Sequence, residues 1–236
     1  MTRLSLIVLA LAGLTGCMGS APPVPRDHYY RIMVAPPSHA AASQTASIEG
    51  ASILGRPLGR PLGRRLGRPL GRPGSGADVA AFPGVLSVTQ LEAEGLLRER
   101  PLLYSATGSA TEMQQHDYHY WMDPPPRMLQ LQLVDYLRAS GLAQSVVTPE
   151  LRIEADYEVS GRIKRLERLL GGGPTRVVVE LELSLVARAT NELIVIGTYS
   201  AEAIAGDDGV ESSVLALNRA LGQVFERFLA DATWSQ

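Results

Sequence analysis

The sequence predicts an α+β fold, a two-layer α/β sandwich in which two main helices pack on one face of a mostly antiparallel sheet, and three observations predict it. Apolar and polar residues alternate from Leu151 to Lys164 and again from Val177 to Ala187, the period-two pattern of strands with one buried and one wet face. The segments between such runs are short and turn-like, Gly171-Gly172-Gly173-Pro174 and Thr190-Asn191-Glu192, and short connections join antiparallel neighbours. Two further segments carry apolar residues at helical spacing, and a helix with one apolar stripe needs a sheet or another helix to cover it.

Taken in order, Tyr29-Tyr30-Arg31-Ile32-Met33-Val34 is a short apolar and aromatic run that reads as a first strand. Val85-Leu86-Ser87-Val88 and Leu102-Leu103-Tyr104 follow as ordered segments, then an aromatic stretch from Tyr118 to Trp121. Asp123 and the prolines at 124, 125 and 126 introduce a helix from Arg127 to Ser140, with Leu129, Leu133 and Leu137 four apart and Gly141 as its stop. In the strand that follows, Leu151, Ile153, Ala155, Tyr157, Val159, Gly161 and Ile163 face inward; after Val177 to Ala187, a third strand runs from Leu193 to Ala203. The last element is a helix on which Asp208 and Glu211 have capping-box spacing. Its residues Val210, Val214, Leu217, Leu221, Val224 and Phe228 form one apolar stripe. The sheet face away from the helices is expected to be charged and solvated, or open to a partner.

The front of the chain has a different character. Arg3 precedes an apolar run from Leu4 to Leu14, and Thr15-Gly16 supplies small residues before Cys17. That is the layout of an export signal, too short to span a bilayer, with cleavage before the cysteine. The segment resembles the bacterial lipobox, which implies that residues 1–16 are removed and that Cys17 carries a thioether-linked diacylglycerol and an amide-linked acyl chain. More than one acyl chain makes a stable anchor. Cys17 is the single cysteine of the 236 residues, so no intramolecular disulfide can form and no other thiol nucleophile exists. Met18, by resemblance to the sorting signals of enteric bacteria, favours the periplasmic face of the outer membrane. Residues 17–26, with Pro22, Pro23 and Pro25, read as an extended stalk.

The body assigned to residues 27–234 is interrupted between 35 and 82. There a tetrapeptide repeats as Gly55-Arg56-Pro57-Leu58, Gly59-Arg60-Pro61-Leu62, Gly63-Arg64-Arg65-Leu66 and Gly67-Arg68-Pro69-Leu70, ending Gly71-Arg72-Pro73-Gly74. Recurrent glycine and proline defeat helix and central strand alike, so the insert is expected to be disordered. Arg56, Arg60, Arg64, Arg65, Arg68 and Arg72 sit there without an acid. With a formal charge of -2 overall, the rest of the chain carries -8. These arginines are candidate contacts for anionic lipid head groups or lipopolysaccharide phosphates. The simpler reading, and the favoured one, is a tolerated repeat expansion in a surface loop. Export from the cytoplasm argues against a nucleic-acid partner.

Catalytic signatures are missing from the sequence. Neither a P-loop nor a Gly-x-Ser-x-Gly elbow occurs. His116 and His119 are three apart, and in an extended strand such residues point to opposite faces, so they converge on a metal only if the chain turns between them. No metal and no cofactor beyond the Cys17 lipid is expected. Tyr118, Tyr120, Trp121 and Met122 form the candidate interaction surface, because aromatic and methionine side chains are enriched where proteins meet partners. Alternation directs half of this stretch inward, and Trp121 is the favoured core residue.

The order of these features resembles the ABC-type transport auxiliary lipoprotein family: the lipobox, Tyr29-Tyr30 in an early strand, Arg100-Pro101-Leu102-Leu103-Tyr104, Tyr120-Trp121 with Asp123-Pro124, a helix, long strands and a final helix. The resemblance covers residues 27–34 and 83–231 and is strongest from Arg100 to Leu137. It implies a non-enzymatic outer-membrane lipoprotein that partners a periplasm-spanning MCE protein and its inner-membrane transporter in moving lipid, with a homo-oligomeric ring within the family's range. The long insert departs from the family pattern. The other functional reading is a stand-alone outer-membrane module that binds lipid or lipopolysaccharide.

Overall fold

The computed structural model describes residues 25–37, 80–109 and 111–234; residues 1–16, Cys17 and the six arginines of the repeat lie outside the described residues. Eight strands make one sheet: β1 (His28–Tyr30), β2 (Phe82–Val88), β3 (Pro101–Ser105), β4 (Gln114–Trp121), β5 (Ala143–Val147), β6 (Tyr157–Leu169), β7 (Arg176–Ala187) and β8 (Glu192–Ile204). Two helices, α1 (Pro125–Ser140) and α2 (Val210–Trp234), pack on it.

β6 organises the sheet. One of its edges is paired along its length by antiparallel β7, which pairs β8 in turn. The other edge is shared: β2 pairs it in parallel at Tyr157–Val159, and β3 pairs it in parallel at Arg168–Leu169. The chain between β2 and β3 runs along the gap, where the Glu92 N–H donates to Gly161 O at 2.8 Å and the Ile163 N–H donates to Glu92 O at 2.8 Å. β5 extends the sheet beyond β2, and β4 and then β1 extend it beyond β3.

The mostly antiparallel sheet expected from the sequence is therefore corrected to a mixed one. The pairs β1–β4, β2–β5, β2–β6 and β3–β6 are parallel, and β3–β4, β6–β7 and β7–β8 antiparallel. Only the three antiparallel pairs join strands adjacent in sequence through short loops. The remaining strands are separated by α1, by the insert or by whole hairpins, and such crossovers permit parallel neighbours. Alternation specifies which face a residue takes, but not which strand lies beside it.

The core forms where the sequence places it. Leu129, Leu133 and Leu137 of α1, which lies against β2 and β5, and Leu221, Val224 and Phe228 of α2, which lies against β7 and β8, are fully buried in one core with Val177, Val179, Leu181, Leu183 and Leu185 of β7. Each such side chain contributes about 1.5–3 kcal/mol relative to exposure. Tyr136 and Phe225 join the helices with ring centroids 5.5 Å apart. Gly141 closes α1 at φ 69°, a left-handed cap that favours glycine. The buried Gln130 amide donates to Val88 O at 2.9 Å, and Arg138 Nε donates to Val146 O at 2.8 Å, so α1 is fastened to the ends of both β2 and β5.

Local boundaries differ from expectation for identifiable reasons. The first strand stops at Tyr30, because Ile32 to Pro37 leaves the sheet as a strap over the helices. Side-chain amides answer its backbone: the Met33 N–H donates to Asn218 Oδ1 at 3.1 Å and the Val34 N–H to Gln132 Oε1 at 2.8 Å. The strap, buried in part, and Phe82, buried in the core, also trim the insert at each end. Leu151 lies in a 3-10 turn (Pro149–Leu151) and, with Ile153, is exposed, so the central strand begins only at Tyr157. β5 was not expected; its Ala143-Gln144-Ser145-Val146-Val147 is too short to declare a period. At α2, Asp208 Oδ1 accepts the Thr175 hydroxyl at 2.5 Å, while the Ser213 N–H reaches Gly209 O, so the helix starts on Gly209 and the capping box does not form as expected.

Candidate functional site

The β1–β4 pair at the edge of the sheet gathers the least ordinary side chains of the molecule. β4 is irregular: Pro101 of β3 lies opposite Tyr120, but Leu103 lies opposite Gln115, so β4 holds extra residues between them. Tyr118 takes up the excess at φ 61°, a left-handed conformation that costs an L residue roughly 1–2 kcal/mol. This bulge re-aims the chain and brings His116 and His119 to one side, with ring centroids 5.6 Å apart. The turn that the sequence left open is present.

On the inner face, His28 stacks on His119 at 5.0 Å, and the Tyr30 hydroxyl shares a 2.9 Å hydrogen bond with His119 Nδ1. Arg168 of β6 lies beneath them, 2% exposed. Its guanidinium donates to Ser213 Oγ at 2.9 Å, Asp208 O at 2.8 Å and His116 Nε2 at 2.6 Å. A guanidinium has no acceptor, so Nε2 must be the unprotonated nitrogen and His116 is neutral with its proton on Nδ1. Burial and then the Arg168 charge push His116 down to about 4. Burial, then His28 and Arg168, hold His119 below the usual histidine range, and burial followed by the Glu211 charge raises the Tyr30 hydroxyl. The arrangement does not suit a cation: the His116 nitrogen nearest the cluster is already taken, and Arg168 sets positive charge beside it. Chemically it is a hydrogen-bonded clamp, one guanidinium among neutral acceptors, that joins β4, β6 and the start of α2.

The outer face of the same pair is exposed. Tyr29 packs on Tyr120 with centroids 5.8 Å apart, the Arg100 guanidinium lies over the Tyr29 ring at 5.3 Å, and Arg31 Nε donates to Met122 Sδ at 3.0 Å. Tyr29 is 51% exposed, and Met122 and Tyr118 are exposed beside it. Arg100 is fixed from behind, its Nε donating to Trp121 O at 3.0 Å. Of the residues proposed from sequence as an interaction surface, Tyr118, Tyr120 and Met122 lie on or beside this patch. Trp121 does not: it is 2% exposed and packs in the core, as the alternation of a strand requires.

Tyr29, Arg31 and Arg100 are not contact candidates in the sequence, where Tyr29 and Arg31 enter in the first strand and Tyr29 and Arg100 through the family resemblance. The Tyr29-Tyr30-Arg31 alternation was a signal for the first two, but the partner strand that makes a patch of them lies about 90 residues away. Arg168 was missed because β6 changes register between Ile163 and Arg165, which carries a charged residue into the inward phase.

A second exposed surface is the outer face of β6, β7 and β8. It bears Arg162, Lys164, Glu180 and Glu182, with Lys164 paired to Glu180 at 3.9 Å and Arg162 to Glu92 at 3.8 Å. An open cleft of about 400 Å³ is bounded there by Thr89, Ser160, Arg162, Glu182 and Ile196. This is the solvated face the alternation predicts.

The family model described as "ABC-type transport auxiliary lipoprotein component" matches residues 66–228. No curated protein matches the sequence. Among solved structures the chain is similar to protein XCC0632 from Xanthomonas campestris, at 17% identity and a TM-score of 0.59, over 67% of this chain and 89% of that one. It is also similar to a protein described only as uncharacterized, at 14% identity and a TM-score of 0.57, over 87% of this chain and 98% of that one. These two likenesses are of fold alone.

Proposed function

Because the chain belongs to the family of ABC-type transport auxiliary lipoprotein components, we propose that it is the non-catalytic, lipid-anchored docking part of an ABC and MCE type system that moves lipid across the periplasm. The family match over residues 66–228 is the observation that carries this reading. In it, acyl chains on Cys17 hold the protein at the periplasmic face of the outer membrane, and the body receives the end of a periplasm-spanning MCE protein, alone or as a homo-oligomeric ring.

The polar outer face of β6, β7 and β8 supports a docking role. Its charges of both signs are exposed and arranged in register on a rigid sheet, which suits recognition by electrostatic complementarity. Nothing in this reading needs bond-making chemistry from the protein, and the His116 and Arg168 cluster serves the architecture.

Native mass spectrometry of the detergent-extracted, tagged protein tests the proposal. The expected result is an acylated species that carries an MCE protein, and Cys17→Ser is expected to release the protein from membranes. An acylated protein that carries bound lipid but no transporter component in any extraction would favour the stand-alone lipid-binding reading instead.

A further inference from the structure

The outer face of the β1–β4 pair is the exposed surface nearest, along the chain, to the anchoring cysteine. Ten residues lie between Cys17 and His28, so even a fully extended stalk keeps the start of β1 within about 40 Å of the lipid. We infer that Tyr29, Arg31, Arg100, Tyr120 and Met122 form a contact patch for the lipid headgroup layer in which the Cys17 acyl chains are embedded. The inference rests on the anchoring reading of Cys17.

The chemistry of the patch matches that layer. Tyrosine offers an apolar ring with a polar tip and is enriched at membrane–water interfaces. Methionine adds a flexible, polarizable surface. The Arg31 guanidinium lies against Met122 and that of Arg100 over the Tyr29 ring, and both bring positive charge to this surface for phosphate oxygens. Among the described residues neither has a carboxylate within 4.0 Å: every described ion pair involves other residues. Arg31 instead donates to a thioether, a weak acceptor that a phosphate would readily replace.

The tether also settles why so small a patch suffices. A free protein with five contact residues would bind a bilayer weakly. A short covalent tether raises the local concentration of the patch at the surface to about the millimolar range, where a weak contact is occupied most of the time. The contact would fix which way the body faces and leave the outer face of β6, β7 and β8 for another protein.

The single cysteine makes the test clean, since lipidation consumes its thiol and an added cysteine becomes the only labelling site. The lipidated full chain carrying Met122→Cys, labelled with an environment-sensitive fluorophore, is reconstituted into phosphatidylethanolamine and phosphatidylglycerol vesicles containing doxyl-labelled lipid. Glu192→Cys, at the exposed start of β8, is the reference. Quenching at 122 at least about twofold stronger than at 192 is expected, falling to the reference level in the Tyr29→Ser, Arg31→Ser, Arg100→Ser triple variant while the protein still floats with the vesicles. Because each arginine near an anionic surface is worth about fivefold in partitioning, the Arg31→Ser, Arg100→Ser double variant alone should lose much of the effect. Equal quenching at both positions in vesicles that hold the acylated protein overturns the inference, as does shielding of position 122 that appears only when another envelope protein is added. Loss of acyl mass or of flotation in the parent protein is a separate failure, that of the anchoring reading itself. Unchanged urea unfolding of the triple variant excludes misfolding as the cause of lost quenching.

Discussion

Arg168 shows how one residue can tie distant parts of the chain together. It sits 2% exposed and donates to a serine, a histidine and a backbone carbonyl contributed by β4 and the start of α2. Replacing it with methionine keeps the volume but strands buried acceptors on two elements, so Arg168→Met should destabilise by about 2–4 kcal/mol, read as a lowered urea midpoint. Arg168→Lys should recover only part of the loss, because a point charge cannot bridge three acceptors in one plane. His116 gives a pH signature. Its folded value is depressed from 6.5 to about 4, so between those values the unfolded chain takes up a proton that the folded chain refuses. The stability that its neutral form provides is complete above pH 6.5 and is lost as pH falls towards 4. Urea unfolding at pH 7 and pH 4.5 should therefore show a smaller acid-induced loss for His116→Gln than for the parent, and an equal loss would remove His116 from the account. The sequence displayed both residues but not their meeting, which depends on the register change in β6 and the left-handed Tyr118 in β4.

At the scale of elements, the edges of the sheet carry the next consequence. β8 is a 13-residue edge strand, and an unguarded edge invites pairing with another chain. Two arginines of α2 guard its C-terminal half: Arg219 Nη2 donates to Ile204 O at 3.0 Å and Arg227 Nη1 donates to Ser200 O. The Arg219→Ala, Arg227→Ala double variant should expose those carbonyls and show concentration-dependent self-association by sedimentation velocity, with helical content retained. A monodisperse profile equal to the parent's would mean the N-terminal half of the strand already sets the behaviour. The elements themselves were legible where their pattern was long: the leucine spacing of α1, the stripe of α2 and the alternation of β7 are all reproduced. Short or interrupted patterns were not, as with β5, or with the first strand, whose continuation is held by the Asn218 and Gln132 amides and not by a strand.

For the whole molecule, the insert between the strap and β2 interrupts a single fold without dividing it. Replacing residues 40–78 with a Gly/Ser linker of about 12 residues should shift stability by about 1 kcal/mol or less, since closure entropy changes only about 0.6 kcal/mol per doubling of loop length; thermal or urea unfolding checks it. A larger loss would assign the Arg-rich repeats a structural partner. The candidate site was legible in one part, the aromatic stretch Tyr118 to Met122, and illegible in the rest, because Tyr29, Arg31 and Arg100 join it only through a parallel pairing of strands far apart in sequence. By itself the sequence determined the inward faces of α1, α2 and β7, where α1 begins and ends to within a turn, and the family to which the chain belongs, because these follow from local periodicity and from residues in fixed order. Only the tertiary structure decided which strands lie side by side, that the sheet is mixed, that both histidines turn to one face and that Arg168 is buried beneath them. Those outcomes depend on pairings between segments tens of residues apart, and the free energy that selects one pairing over another comes from packing the whole core, not from any local pattern.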